Sequence, residues 1–210
     1  MGRILFLTSR FPYPAIGGDK VRAARILERL ARSHDVTLVS FLGPHDRAPD
    51  DVPPGLADCR LVRHDRLSAG LEGLRAAGQG AGLPLQVGFF RSDAMHRAVA
   101  EVVATGLFDL VWVHLLRMAQ YAPDLPDVPR VLDLTDCVSR ACDRLADARG
   151  AGLGALAIAH ALDAPAMRAC EASAIGAFDR CLVVAESERQ ALAGVPGADR
   201  IRVVGNGVDR

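Results

Sequence analysis

The sequence predicts an α/β protein built on a Rossmann-like, doubly wound parallel sheet, and three observations carry that expectation. Short apolar runs of strand length alternate with segments of helical periodicity. The first two runs, Arg3 to Thr8 and Val36 to Phe41, are apolar throughout rather than alternating, as strands buried on both faces are. Right-handed crossovers between such strands then favour a doubly wound arrangement.

Each element follows in order. After the first strand, Ser9 to Gly18 is a loop rich in Pro and Gly, and Asp19 begins a helix whose apolar stripe is Ala23, Ile26, Leu27, Leu30 and Ala31. Ser33-His34-Asp35 interrupts that pattern before the second strand, which completes a β-α-β unit. Gly43 to Asp58 reads as loop, Cys59 to Val62 as a short third strand, and Leu67 to Val87 as a helical pattern interrupted by Gly. A helix over Ser92 to Thr105, a strand at Leu110 to Val113, a short helix near Leu115 to Tyr121 and a strand at Arg130 to Leu134 come next. The Ala-rich stretch Cys137 to Phe178 reads as two or three helical pieces. A strand at Arg180 to Val184, a helix at Ser187 to Ala193 and a strand at Ile201 to Val204 close the chain.

At 210 residues the chain holds one sizeable α/β core rather than two full domains. Lys plus Arg and Asp plus Glu number 25 each, so no overall positive field gathers nucleic acid, and no nucleic-acid partner is expected. The five cysteines (Cys59, Cys137, Cys142, Cys170, Cys181) are scattered and form no Cys-x-x-Cys pair, which reads as reduced cytosolic thiols. Ile4 to Leu7 is too brief for a signal-peptide core, and no run approaches the ~18 apolar residues of a spanning helix. A cytoplasmic protein is expected, at most bound at the inner face of the membrane.

The loop after the first strand is the most informative site. Gly17 and Gly18 allow backbone N–H groups to approach a ligand where the helix dipole is positive, which favours an anion, most readily a diphosphate. Lys20 and Arg22 put positive charge in the first turn, against the macrodipole, and a bound anion would account for them; a Gly-Gly turn with a solvated basic face is the plainer alternative. The loop lacks Gly-x-Gly-x-x-Gly, and the second strand ends in Ser40-Phe41-Leu42 without an acid for a ribose, so a nicotinamide dinucleotide is disfavoured. His114 directly follows a strand, at the end where parallel sheets bind ligands, and is the candidate catalytic residue, with Arg117 three positions on. A structural His serving the helix is the alternative reading. Asp136 stands in the same place after the next strand, as a hydrogen-bond acceptor for a ligand hydroxyl or as a helix N-cap. No Ser-His-Asp order, His-Glu-x-x-His stretch or Cys/His cluster supports a hydrolase or a metal site. Arg22, Arg25, Arg29 and Arg32 form a stripe at helical spacing, either a solvated face or a peripheral contact with an anionic membrane.

Four stretches, in order and over nearly the whole chain, carry a family resemblance. They are Phe11-Pro12-Tyr13-Pro14 with Gly17-Gly18-Asp19-Lys20-Val21-Arg22; Val36 to Phe41; the His114 to Tyr121 segment with Arg117-Met118-Ala119; and Arg202 to Asp209 with Asn206-Gly207-Val208-Asp209. Together they resemble the retaining glycosyltransferases of family 4, which have the GT-B fold, and especially the bacterial branch linked to exopolysaccharide synthesis.

The resemblance implies that residues 1–210 are the N-terminal, acceptor-side half of a two-domain enzyme. The other half would hold a nucleotide-sugar donor, and neither a cofactor nor a metal would be needed. Carried over by position, Gly17 and Gly18 would lie beside the donor diphosphate, His114 would touch the transferred sugar, and Glu171 would be an architectural helix glutamate. Asn206, Gly207 and Asp209 resemble the family's hinge, and Ala185 departs from the usual serine before Glu186. With the donor-binding domain absent after Arg210, this polypeptide alone is expected to be inactive and to need that domain in cis or in trans, with a glycan or lipid-linked acceptor. A non-catalytic glycan- or protein-binding remnant, or one subunit of a split transferase, is the alternative.

Overall fold

Strand β1 (Gly2–Thr8) is the centre of the molecule, and its alternation explains why the run is apolar throughout. Leu5 and Leu7 enter one core, Ile4 and Phe6 the other, and all four are buried. The computed structural model describes residues 1–49, 52–64, 83–147 and 155–207.

Helix α1 (Gly18–Ala31) follows a loop tied back by the Phe11 N–H, which donates to the Phe41 carbonyl at 2.9 Å. It buries Ala23 and Leu27 of the expected stripe, with Ile26, Leu30 and Ala31 at the margin. Burying a leucine side chain such as Leu27 stabilises by roughly 1.5–3 kcal/mol. Strand β2 (His34–Leu42) starts two residues earlier than the pattern suggests, because His34 and Asp35 pair in register with Gly2 and Arg3. Strand β3 (Asp58–Arg63) forms the edge. Much of the ambiguous stretch before Val87 lies outside the described residues, and Leu85–Gly88 is a single helical turn.

Helix α2 (Asp93–Thr105) is capped by Ser92, whose Oγ accepts from the Met95 N–H at 3.4 Å. After β4 (Leu110–His114) the expected short helix is a 3-10 segment, Leu116–Asp124, with Pro123 inside it. Proline cannot continue an α-helical hydrogen-bond ladder. Strand β5 (Arg130–Thr135) leads to α3 (Val138–Asp147) and α4 (Ala155–Ala177), the pieces of the Ala-rich region. Strand β6 (Arg180–Val183), helix α5 (Glu186–Ala191) and strand β7 (Ile201–Val203) follow.

Among the described residues seven strands, all parallel, form one sheet in the order β3-β2-β1-β4-β5-β6-β7. This is the α/β Rossmann-like sheet that the sequence predicts. Helix α1 covers one face; α2, the 3-10 segment and α4 cover the other, where Met95, Val99, Met118, Tyr121 and Ile175 meet Leu7, Val113 and Leu132. The order reverses between β1 and β4, and a crevice opens there beyond the strand carboxyl ends.

Candidate functional site

A cleft of about 500 Å³ lies beyond the carboxyl ends of β1, β4 and β5. Four separated segments expected to bind ligand or form a hinge contribute to its wall: Gly18, Arg117, Asp136 and Asn206. Gly17 precedes α1 with φ 96°, a backbone state that favours glycine, and its carbonyl accepts from the Val21 N–H at 2.9 Å. Gly18 is not required by the fold in this way, since a Cβ there would meet no atom within 4 Å and would project into open space.

Beneath the cleft, on the α1 side of the sheet, sits a charged network that the sequence analysis missed. Asp133 is fully buried, and Arg22 grips its carboxylate with two donors, Nε to Oδ2 at 2.8 Å and Nη2 to Oδ1 at 3.0 Å. His114, its neighbour in β-sheet register, contacts Asp133 Oδ2 through Nδ1 at 3.1 Å. Burial pushes the Asp133 carboxyl upward, but the hydrogen bonds from His114 and Arg22 outweigh it and hold the group below the usual carboxylate range. The available signal was an aspartate inside Val131-Leu132-Asp133-Leu134, a run otherwise fit for burial.

Two of the expected site residues are held by contacts within the protein. His114 does not face the cleft: its side chain is 1% exposed and its second nitrogen, Nε2, meets the Asp19 carbonyl at 3.2 Å, so both ring nitrogens are engaged by the protein. These contacts tie β4, β5 and the start of α1 together. Arg22 is likewise committed, with Nη1 donating to Asn206 Oδ1 at 2.8 Å and the Val204 carbonyl at 3.2 Å. It therefore leaves the basic stripe, in which Arg25 pairs with Glu28 on the outer face at 3.1 Å.

Lys20 is buried as well, and its Nζ donates to Asp46 Oδ1 at 3.0 Å. The cationic side chains that line the cleft are Arg117 and Arg10, a residue that the sequence did not single out. Arg117 Nε donates to Ser9 Oγ at 2.8 Å, its Nη2 lies 3.7 Å from Asp19 Oδ2, and its guanidinium covers the Phe90 ring at 4.8 Å. Burial lowers its pKa, Asp19 opposes that, and nearby Arg10 adds to it.

Two strained residues also line the cleft. Leu115 and Thr135, at the ends of β4 and β5, have φ of 75° and 68°, and for a β-branched residue such as Thr135 that is a sterically costly state. Both line the cleft, and the Thr135 hydroxyl is buried without a hydrogen-bond partner. Asp136 beside them does not cap α3. The amides at that helix start donate instead to acids from elsewhere, Cys137 N–H to Glu188 Oε2 at 3.0 Å and Ser139 N–H to Glu171 Oε1 at 3.1 Å. Burial, and then the charge of Glu188, raise the pKa of Asp136.

Asn206 and Gly207 leave the sheet after β7 on the exposed side of this network, and Asp209 lies outside the described residues. Among the described residues no group of three or more His, Cys, Asp or Glu is placed to hold a metal, and no helix is long and apolar enough to cross a membrane.

No family model matches the sequence, and no curated protein matches it. Among solved structures, a sucrose-phosphate synthase from Thermosynechococcus elongatus is similar to the whole chain, with 13% identity and a TM-score of 0.65. An OtsA apo structure and an E. coli structure described as trehalose-6-phosphate bound with UDP-2-fluoro glucose each cover 91% of the chain, with 14% and 13% identity and TM-scores of 0.48 and 0.46. The match to the sucrose-phosphate synthase shows a shared fold. The chain spans about half of that structure's length, 49%, and 42% of each of the other two.

Proposed function

We propose that this chain is the acceptor-side half of a GT-B glycosyltransferase that moves a sugar from a nucleotide-sugar donor to a glycan or lipid-linked acceptor, in exopolysaccharide or cell-envelope glycan synthesis. The observation that carries the reading is the cleft at the switch point of the sheet, where Gly18, Arg117, Asp136 and Asn206 converge from four parts of the chain. The fold shared with a sucrose-phosphate synthase, of which the chain spans about half, supports it. A donor-binding partner domain, in cis or in trans, closes the other side of the cleft in this reading, and the work is done in the cytoplasm at the inner face of the membrane.

The residues present suit that task. Gly18 and Asp19, the first residues of α1, line the cleft, where a helix N-terminus favours a departing diphosphate. Arg117 and Arg10 add fixed charge beside it in a partly desolvated setting, where charge is worth more than in water. Asp136, raised in pKa and facing the same space, accepts a hydrogen bond from a sugar hydroxyl. The Arg22–Asp133–His114 network keeps these pieces in register without touching the substrate.

The test is transfer by the protein purified from its native source, supplied with labelled UDP-, GDP- and dTDP-sugars and a lipid extract of the same cells. Label entering the lipid or glycan fraction is the expected result. Acceptor binding without transfer from any donor would replace this reading with a non-catalytic binding module.

A further inference from the structure

Asp19 is the carboxylate that lies between the two arginines of the cleft. Its Oδ2 is 3.2 Å from Arg10 Nη1 and 3.7 Å from Arg117 Nη2, and its Oδ1 accepts from the Lys20 N–H at 3.0 Å. Arg10, Asp19 and Arg117 all line the cleft. Lys20 is taken by Asp46 at 3.0 Å, which leaves one carboxylate in contact with two guanidiniums.

The two parts of Asp19 are held unequally. Its carbonyl is fixed by the buried His114, whose Nε2 lies 3.2 Å away. Its side chain is 23% exposed and meets Arg10, which is 53% exposed, and an ion pair this open to water is weak. The 3.7 Å contact with Arg117 is longer than a hydrogen bond. A turn about χ1 would release the carboxylate to solvent without moving the backbone.

Charge then decides what displaces it. A singly charged anion entering between the arginines would replace one carboxylate with its equal and leave the Asp19 charge beside it, a repulsion between like charges. An anion carrying two or more charges gains more from the two guanidiniums than the displaced carboxylate loses. We propose that Asp19 is an internal competitor for the anion seat of the cleft: its carboxylate closes the seat to singly charged anions and yields it to a multiply charged group such as a diphosphate. This rests on the sugar-transferase reading and adds a specificity-determining residue to it.

The test is calorimetric titration of the protein and its Asp19 variants with inorganic pyrophosphate and with formate, all at one ionic strength. Asp19→Asn, which keeps the shape and removes the charge, is expected to bind pyrophosphate severalfold more tightly than the unaltered protein. Asp19→Ala is expected to take up formate in place of the lost carboxylate, whereas the unaltered protein does not. Asp19→Glu keeps the charge and is expected to bind pyrophosphate as the unaltered protein does. Melting curves in the same buffer establish that each variant is folded. If Asp19 served only to hold the arginines in place, Asp19→Asn would bind pyrophosphate more weakly. That result, an unchanged affinity, equal formate binding with and without Asp19, or pyrophosphate that binds none of these proteins would each overturn the proposal. Absence of transfer by the native protein, with the pyrophosphate and formate results as expected, would count against the transferase reading and leave the role of Asp19 standing.

Discussion

Arg22 and Asp133, 111 positions apart in the chain, form a two-point ion pair at 2.8 and 3.0 Å, with side chains 6% and 0% exposed. The pair fastens the first turn of α1 to the middle strand of the β4-β5-β6 group, and so fixes where the Gly17-Gly18 turn stands relative to the cleft.

Removing one partner of such a pair leaves a buried charge uncompensated, which costs about 3–5 kcal/mol. Asp133→Asn is expected to lower stability by that order in urea denaturation, and Arg22→Met to do the same. The double replacement Arg22→Met with Asp133→Leu should recover much of the loss. A single-variant cost below about 1 kcal/mol would show that the pair holds little.

The same carboxylate makes stability pH-dependent. Its native pKa lies below the usual range, so its contribution is fully present above the unfolded value of about 3.9 and fades as pH falls through the lowered native one. Asp136 carries the opposite sign, because its raised pKa disfavours the charged form in the fold. Asp136→Asn is therefore expected to raise the melting temperature at pH 7 and to have no effect at pH 3. Melting curves across that range check both, and a destabilised Asp136→Asn at pH 7 would remove the argument for its side.

The two adjacent glycines should respond differently. Gly17→Ala forces a Cβ onto a φ of 96° and is expected to cost about 1 kcal/mol or more. Gly18→Ala meets nothing within 4 Å and should leave stability unchanged or slightly raised, as Ala is the better helix residue. On the proposed transferase reading, Gly18→Val is expected to reduce transfer by the protein from its native source, by obstructing the approach of a diphosphate. Full activity in that variant would separate the glycine turn from the ligand.

The thiols should be slow to react. Burial raises Cys181 to about 12, and burial with the neighbouring Asp58 or Glu171 raises Cys59 and Cys170 to about 11. The thiolate is the reactive form, so at pH 8 the native protein is expected to take up iodoacetamide at these positions only as it unfolds. Rapid labelling of Cys181 in native buffer, located by peptide mass, would contradict its burial.

The sequence alone determined the elements and their class. Doubly apolar strands such as Arg3 to Thr8, alternating with the Ala23–Leu27–Leu30 stripe and its successors, leave a covered parallel sheet as the structure that buries both strand faces. It also marked the loop at Gly17-Gly18 and the strand ends at His114 and Asp136, because glycine and strand-terminal position are local properties. Only the tertiary structure decided which side chains meet. The lateral order β3-β2-β1-β4-β5-β6-β7 sets His114 beside Asp133 and brings Arg22 across from α1, which turns an expected ligand histidine and an expected anion-binding arginine inward. Periodicity encodes the face on which a residue lies but not the residue that faces it from another strand or helix. For the same reason, Arg10 and Thr135 were unmarked in the sequence and became part of a site only when the chain brought them together.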